Sequence, residues 1–406
     1  MGAASEKGLR MTSSRPARRG IAGLAICLGA SLAACVAATA LAADLPLERQ
    51  TIARLDPDAS QRIYLADMAL AHIVDGRLHV IDGRRMRYLS AMSTGFAGQI
   101  ALSPDRRELY VASTYYPRLH RGERSDVVEV YGTDDLVFRH EIEIPPKHAQ
   151  AMNIRASLAT SADGRWLLVQ NATPASSVTV VDLKNRRTAA ELPTPGCWGV
   201  IPWPQDPSRF STVCGDGSLA TLELDEAGQA RPRSAPVPFF DADADPVFMH
   251  YERLGDELLF ISYGGQLHRL RLQAEGVKVL PGFSLLTPAE RQARWRPGGM
   301  QLFTVDAERQ RLFVGMHPKA RDGSHKEPAQ QIWVFDLARQ ARVARWPGQH
   351  AVSMTLSPGT TPRLFVLDGL GNHVLALDPR GPDTRAPRLL GRLDAVGETP
   401  VYLEAP

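Results

Sequence analysis

The 406-residue sequence predicts an all-β fold, a seven-bladed β-propeller held by one intrachain disulfide, and three observations predict it. A strand-turn-strand unit recurs seven times along the chain. No long amphipathic helix interrupts the recurrence. Beyond the first 35 residues only two cysteines occur, Cys197 and Cys214.

The unit is a hydrophobic strand, a D-G or P-D turn, a second strand, and a third ending in a V-x-V-x-D-like pattern. It is clearest in IALSPDRRELYVAS…DVVEVYG (100–132) and LATSADGRWLLVQN…VTVVDL (158–183). FTVDAERQRLFVGM…IWVFDL (303–337) and MTLSPGTTPRLFVLD…HVLALD (354–378) repeat it. Weaker copies lie at 63–82, 200–224 and 249–272. A spacing of roughly 40 to 55 residues with about four short strands per unit indicates sheets stacked radially around a channel, since one sheet cannot bury both faces alone. A large β-sandwich is the rival, and the regular recurrence argues against it.

Residues 1–43 read as an export signal, and 44–406 as the propeller domain. Arg15, Arg18 and Arg19 precede an apolar, small-residue run that ends at Ala40-Leu41-Ala42, which predicts cleavage near Ala42/Ala43 and a periplasmic protein. The run is rich in Ala and Gly and lacks a charged stop, so it makes a poor membrane anchor. Arg18-Arg19 is compatible with twin-arginine export. Leu-Ala-Ala-Cys at 32–35 resembles a lipoprotein box, although apolar residues continue past Cys35 where a polar tether is expected.

The leader carries five Lys/Arg and one acid, so the net charge of +3 falls to −1 for residues 44–406. That balance excludes a nucleic-acid footprint. Composition is otherwise that of a globular chain, 44% hydrophobic and 22% charged, with enough Gly and Pro for many turns.

Cys27 and Cys35 leave with the leader. In an oxidising compartment Cys197 and Cys214 read most economically as a disulfide, closing a loop of about 17 residues and contributing roughly 3 kcal/mol. A redox-active pair or half a metal site are the alternatives, but catalytic dithiols usually sit as C-x-x-C and zinc wants four ligands.

Three insertions decorate the units: STYYPRLHRGERSD (113–126), MHPKARDGSHKEPAQQ (316–331), and LLTPAERQARWRPGG (285–299). The last predicts a short helix capped by Thr287 with proline next. Binding surfaces of such folds lie on loops of this kind.

No catalytic constellation is visible: there is no G-x-S-x-G, H-E-x-x-H or Walker loop. His317 and His325 near Asp322 are more simply solvated loop histidines than metal ligands. Asp241, Asp243 and Asp245 alternate like a calcium loop but lack its downstream Gly and Glu. Asn171 opens a glycosylation sequon that carries little weight. Trp198 and Trp203 raise a self-derived quinone, though packing is the commoner fate of tryptophans beside a disulfide. The residues alone thus describe a binding or scaffolding subunit.

A set of long motifs adds to this reading: RIYLADMALAH, TYYPRLHRGERSDVVEVY, EIPPKHAQAMN, QNATPASSVTVVD, GCWGVIP…CGDG, PGGMQLF, MHPKARDGSHKEPAQQIWVFD and ARWPGQHAVSMTLS. In this order they resemble the heavy (α) subunit of the quinoprotein amine dehydrogenases, from about Arg62 to about Asp394, closest to the aralkylamine branch, with methylamine dehydrogenase as sister. The resemblance implies a small disulfide-rich light (β) subunit in an α2β2 tetramer. That partner would carry tryptophan tryptophylquinone and the catalytic base, leaving no catalytic, cofactor-binding or metal residue on this chain. It also implies oxidative deamination of a primary amine to aldehyde and ammonia, with electrons passing to a blue copper protein.

Two features carry over residue by residue. Thr94-Gly95-Phe96-Ala97-Gly98 matches the segment whose phenylalanine lines the substrate channel, so Phe96 is assigned there. Cys197 and Cys214 match the family's heavy-chain disulfide. VGETPVYLEAP, at 396–406, is only loosely similar and is assigned no site.

Overall fold

The second or third strands of several predicted units are apolar on both faces. In the computed structural model they are sandwiched accordingly: Arg62–Asp67, Trp166–Asn171 and Ser177–Asp182 are buried along their whole length. Outer strands such as Arg187–Pro193 alternate exposed and buried residues, as a sheet edge facing water requires. The structure describes residues 51, 54–55, 61–150, 154–380 and 386–405. The predicted export segment lies outside them.

Among the described residues, five four- or five-stranded antiparallel sheets stand apart from one another, and one sheet has eight strands. The second sheet shows the plan, running outward from the inner strand Gln99–Leu102 through Glu108–Tyr115 and Ser125–Gly132 to Phe138–Ile144. The third, fourth and fifth begin at the inner strands Leu158–Thr160, Cys197–Pro202 and Val247–Leu254. The first is completed from far away, because Pro400–Glu404 pairs with Arg62–Asp67 and forms its inner strand.

The propeller expectation holds, but seven separate blades do not. Five blades are separate, and residues 296–393 form one continuous eight-stranded sheet instead. The cause is the sixteen-residue strand Ala341–Leu356. Its first part pairs with Ala329–Asp336 and its last part with Leu364–Asp368, and Ala351 pairs with both Ala329 and Asp368. The ladder therefore never breaks, although the strand turns sharply at Gln349 and His350, both with φ above 50°.

Apolar layers between neighbouring sheets close a ring. Tyr64 and Leu78 pack on Leu109 and Val111, Tyr110 and Val128 on Leu167 and Val169, and Trp166 and Val180 on Val200 and Phe210. Ile201 and Trp203 meet Leu258 and Phe260, while Leu259 and Leu267 meet Phe303 and Trp333. Phe365 and Val374 return to Ile63, Leu65 and Leu403.

The expected disulfide is present. Cys197 and Cys214 face one another across adjacent strands with Cα atoms 3.9 Å apart. Trp203 is buried and donates its indole N–H to Ser211 Oγ at 2.9 Å, whereas Trp198 is half-buried. The expected helix is Pro288–Gln292, and Thr287 and Glu290 cap it reciprocally.

Candidate functional site

Because the sheets are antiparallel, connections that lead into an inner strand share one end of the propeller with turns between second and third strands. This upper face therefore carries residues 94–98, 285–299 and both long insertions. Gly95 makes the first of these possible. Its φ is 61°, and a Cβ there would collide with Ser113 Oγ and the Tyr115 ring. Phe96 N–H donates to Thr114 O at 3.2 Å and Ala97 N–H to Ile73 O at 3.1 Å, which fixes the loop.

The half-buried Phe96 ring then meets Tyr116 edge to face, with centroids 6.3 Å apart at 67°. Gln150 Nε2 donates to the Tyr116 hydroxyl at 3.4 Å. The result is an aromatic step with one polar edge. Sequence reasoning singled out Phe96 but not Tyr116.

A cavity of about 710 Å³ opens on the same face. Met68, Ile154, Phe248, Met249 and Met300 make its apolar walls, and Asp322, His325 and Lys326 its polar rim. Phe96 is not among its lining residues. The Tyr263 hydroxyl donates to Arg321 O at 2.9 Å and so holds the 316–331 insertion against the rim. Arg118, Arg121, Lys319 and Lys326 are exposed on the two insertions.

The histidines and acids considered as metal ligands are not brought together. His317 is buried, with Nδ1 3.7 Å from Glu327, while His325 is exposed at the cavity. Asp241 accepts from the backbone of Asp243 and Ala244, and Asp245 accepts from Ser262 and Gly264. Among the described residues no group of three or more His, Cys, Asp or Glu is placed to hold a metal. Asn171 is fully buried and donates to Ser177 and Thr179, so its sequon is not accessible for glycosylation.

Sequence reasoning passed over a charged cluster on the axis. Arg155 follows Ile154 and lies between two carboxylates, 2.8 Å from Glu404 and 3.4 Å from Glu252. His250 Nε2 stands 3.6 Å from Glu252 and donates to Phe303 O at 2.8 Å. Burial holds the His250 imidazole down at about 3, so it is neutral. Burial pushes the Glu252 carboxyl up to about 7, against the pull of Arg155. The Glu404 carboxylate, by contrast, drives Arg155 up. His250 and Glu252 share the strand Val247–Leu254, Arg155 comes from the turn Arg155–Ser157, and Glu404 from the closing strand to which no site was assigned.

The fold and this face define a disulfide-stapled β-propeller with an apolar cavity and an aromatic step at one mouth. A family profile described as "Methylamine dehydrogenase heavy chain (MADH)" matches residues 58–400. The chain belongs to that family. It is 27% identical over 350 residues to the methylamine dehydrogenase heavy chain of Methylobacillus flagellatus, covering 85% of this chain and 84% of the relative. It is 28% identical over 347 residues to that of Paracoccus versutus, covering 83% and 78%. Among solved structures, a putative 6-phosphogluconolactonase from Bacteroides uniformis superposes with a TM-score of 0.62 at 12% identity, over 84% of this chain and 98% of that one. A dihydro-haem d1 dehydrogenase superposes at 0.55 and 17% identity, over 86% and 66%. These two likenesses concern the fold alone.

Proposed function

We propose that this chain is the heavy subunit of a periplasmic, tryptophan tryptophylquinone-dependent amine dehydrogenase that converts primary amines, aralkyl amines foremost, to aldehyde and ammonia. The observation that carries the reading is the family match across 58–400, which spans nearly the whole propeller. The partner is a small disulfide-rich light chain in an α2β2 tetramer, and a blue copper protein accepts the electrons.

Trp198 and Trp203 do not fit a quinone made within this chain. The Trp203 indole is buried with its N–H engaged by Ser211, and Trp198 pairs in register with Val213 beside the disulfide. The quinone, carried by the light chain, supplies the two-electron oxidant. This chain's residues bind and exclude water. The light chain sits on the upper face, where the apolar cavity accepts side chains and Arg118, Arg121, Lys319 and Lys326 suit an acidic counterpart.

Phe96 and Tyr116 then form the wall of the substrate entrance, and their edge-to-face pair favours an aromatic amine. Methylamine is the second reading, favoured by the names of the relatives. Native mass spectrometry tests the assembly: two copies of this chain with two of a cysteine-rich partner support it, and this chain alone refutes it. Phe96→Ala in the assembled enzyme should lower kcat/KM about fivefold for phenylethylamine, the worth of one lost ring contact, and leave methylamine unchanged. Equal losses for both amines would remove Phe96 from the entrance.

A further inference from the structure

Two of the long motifs, TYYPRLHRGERSDVVEVY and EIPPKHAQAMN, meet beside the aromatic step. Thr114 and Asp126 face one another across the strands Glu108–Tyr115 and Ser125–Gly132, at the base of the first insertion. Asp126 is buried, and four donors converge on its carboxylate. Oδ1 accepts from Thr114 Oγ1 and from Arg124 Nε, both at 2.8 Å. Oδ2 accepts from Arg124 Nη2 at 2.6 Å and from the backbone N–H of His148 at 3.0 Å.

Arg124 Nη2 also donates to His148 O at 2.8 Å, so the ion pair holds both backbone groups of His148. The Thr114 hydroxyl has one proton and gives it to Asp126. Its oxygen therefore accepts from His148 Nδ1–H at 3.2 Å. Burial holds that imidazole down at about 4, so it is neutral and keeps this role at ordinary pH.

Every part of the aromatic step hangs from this knot. Tyr116 stands two residues beyond Thr114, and Gln150, which donates to the Tyr116 hydroxyl, stands two beyond His148. Thr114 O accepts the Phe96 N–H. Ala149 N–H donates to Gln170 O and Ala149 O accepts from Gln99 Nε2, which moors the His148 segment to the strands on either side. Apolar side chains of the same volume would stabilise this place as well, since desolvation offsets most of a buried pair's attraction. A guanidinium fork on a carboxylate adds direction, which apolar packing lacks.

We propose that Asp126, Arg124, Thr114 and His148 are positioning residues for substrate selection, an inference that rests on the amine dehydrogenase assignment. They set the distance and tilt of Tyr116 against Phe96, and through that pair the preference for an aromatic amine over a small aliphatic one. Thr114, Asp126 and His148 are buried and act only through the step.

Steady-state kinetics of the assembled complex with phenylethylamine and methylamine tests this, read as the ratio of the two kcat/KM values. Thr114→Val is nearly isosteric, keeps the carbonyl that holds Phe96, and removes the hydroxyl that joins Asp126 to His148. The ratio should fall about fivefold, the worth of one misplaced ring contact. The loss should enter through KM for phenylethylamine, with kcat and both methylamine constants unchanged. Thr114→Ser keeps the hydroxyl and should restore the ratio. Arg124→Lys keeps the charge but loses the fork, so it should lower the ratio likewise, and it carries the comparison if Thr114→Val does not assemble.

A general weakening of the fold moves both amines together. Equal losses for both amines, an unchanged ratio, or a Thr114→Ser enzyme as impaired as Thr114→Val therefore overturns the proposal. Phe96→Ala in the same assay separates the two levels. If it changes the ratio and the positioning variants do not, the entrance stands and this proposal fails alone. If the unaltered complex lacks a light chain or oxidises neither amine, the amine dehydrogenase assignment fails and takes the proposal with it.

Discussion

Replacing Asp67 by asparagine probes how the ring is closed. Asp67 ends the strand Arg62–Asp67, and its carboxylate accepts from Glu398 N at 2.7 Å, Thr399 N at 2.8 Å, Ala69 N at 2.9 Å and His79 Nε2 at 3.1 Å. Two of those donors lie more than 330 residues away and lead into the closing strand. Burial works against the charged form, yet the four donors hold the carboxyl at about 2, below its ordinary 3.8. That difference corresponds to about 2.5 kcal/mol of native-state stability. Little discount for solvent applies, because the side chain is 2% exposed.

The folded-state value is the depressed one, so this contribution is full above about 4 and disappears as pH falls towards 2. An asparagine in its place would keep the shape but turn an amide N–H toward groups that are themselves donors. Denaturant unfolding followed by far-ultraviolet circular dichroism should show Asp67→Asn less stable by about 2–3 kcal/mol near neutrality. The deficit should shrink steadily in acid. A deficit below about 1 kcal/mol, or one that stays constant down to the acid end, refutes the reasoning.

Removing the staple with Cys197→Ser and Cys214→Ser together should cost about 3 kcal/mol and lower Tm by about 4 °C for a body of this size; a thermal melt showing under about 1 °C, or loss of turnover in an intact complex, would contradict a structural role. Glu290 caps its helix and pairs with Arg342 at 2.7 Å and with Arg345, and these bonds hold its carboxyl below the ordinary 4.5 despite burial. Glu290→Gln should therefore destabilise by about 1–2 kcal/mol above that pH and by less in acid, checked by unfolding at two pH values. Arg155→Met leaves Glu252 and Glu404 facing each other. We expect a loss of about 2 kcal/mol in denaturant unfolding, below the roughly 3–5 of a fully buried pair because Arg155 keeps 38% of its side chain exposed. An unchanged midpoint would show the cluster to be energetically idle.

What the residues disclosed in advance follows the range of the interactions involved. Alternation and turn chemistry are local, so the strands within 100–132 and 158–183 were readable, as was the Thr287 cap with its partner three residues on. The Phe96 loop was picked out only by its likeness to a family segment, and the close approaches that require Gly95 and Gly98 became visible with the fold. The continuity of the eight-stranded sheet was not readable, since it depends on Ala351 pairing on both sides, and repeat spacing says nothing about that. The axial cluster was hidden for a related reason. Arg155, Glu252 and Glu404 are single charged residues in unrelated segments, and only the closed ring brings them within ion-pair distance.

The pairing of Pro400–Glu404 with Arg62–Asp67 also sets an order of events in time. The first sheet cannot be completed until its inner strand, more than 330 residues downstream, has been synthesised. Until then Tyr64, Leu65 and Ala66 present an unpaired inner edge, and the axis lacks Glu404. Contacts of such sequence separation make folding slow and leave edges exposed to wrong partners in the meantime. A chain cut short before residue 400 would therefore be left with an open ring and an adhesive edge, and quality control would meet it as such.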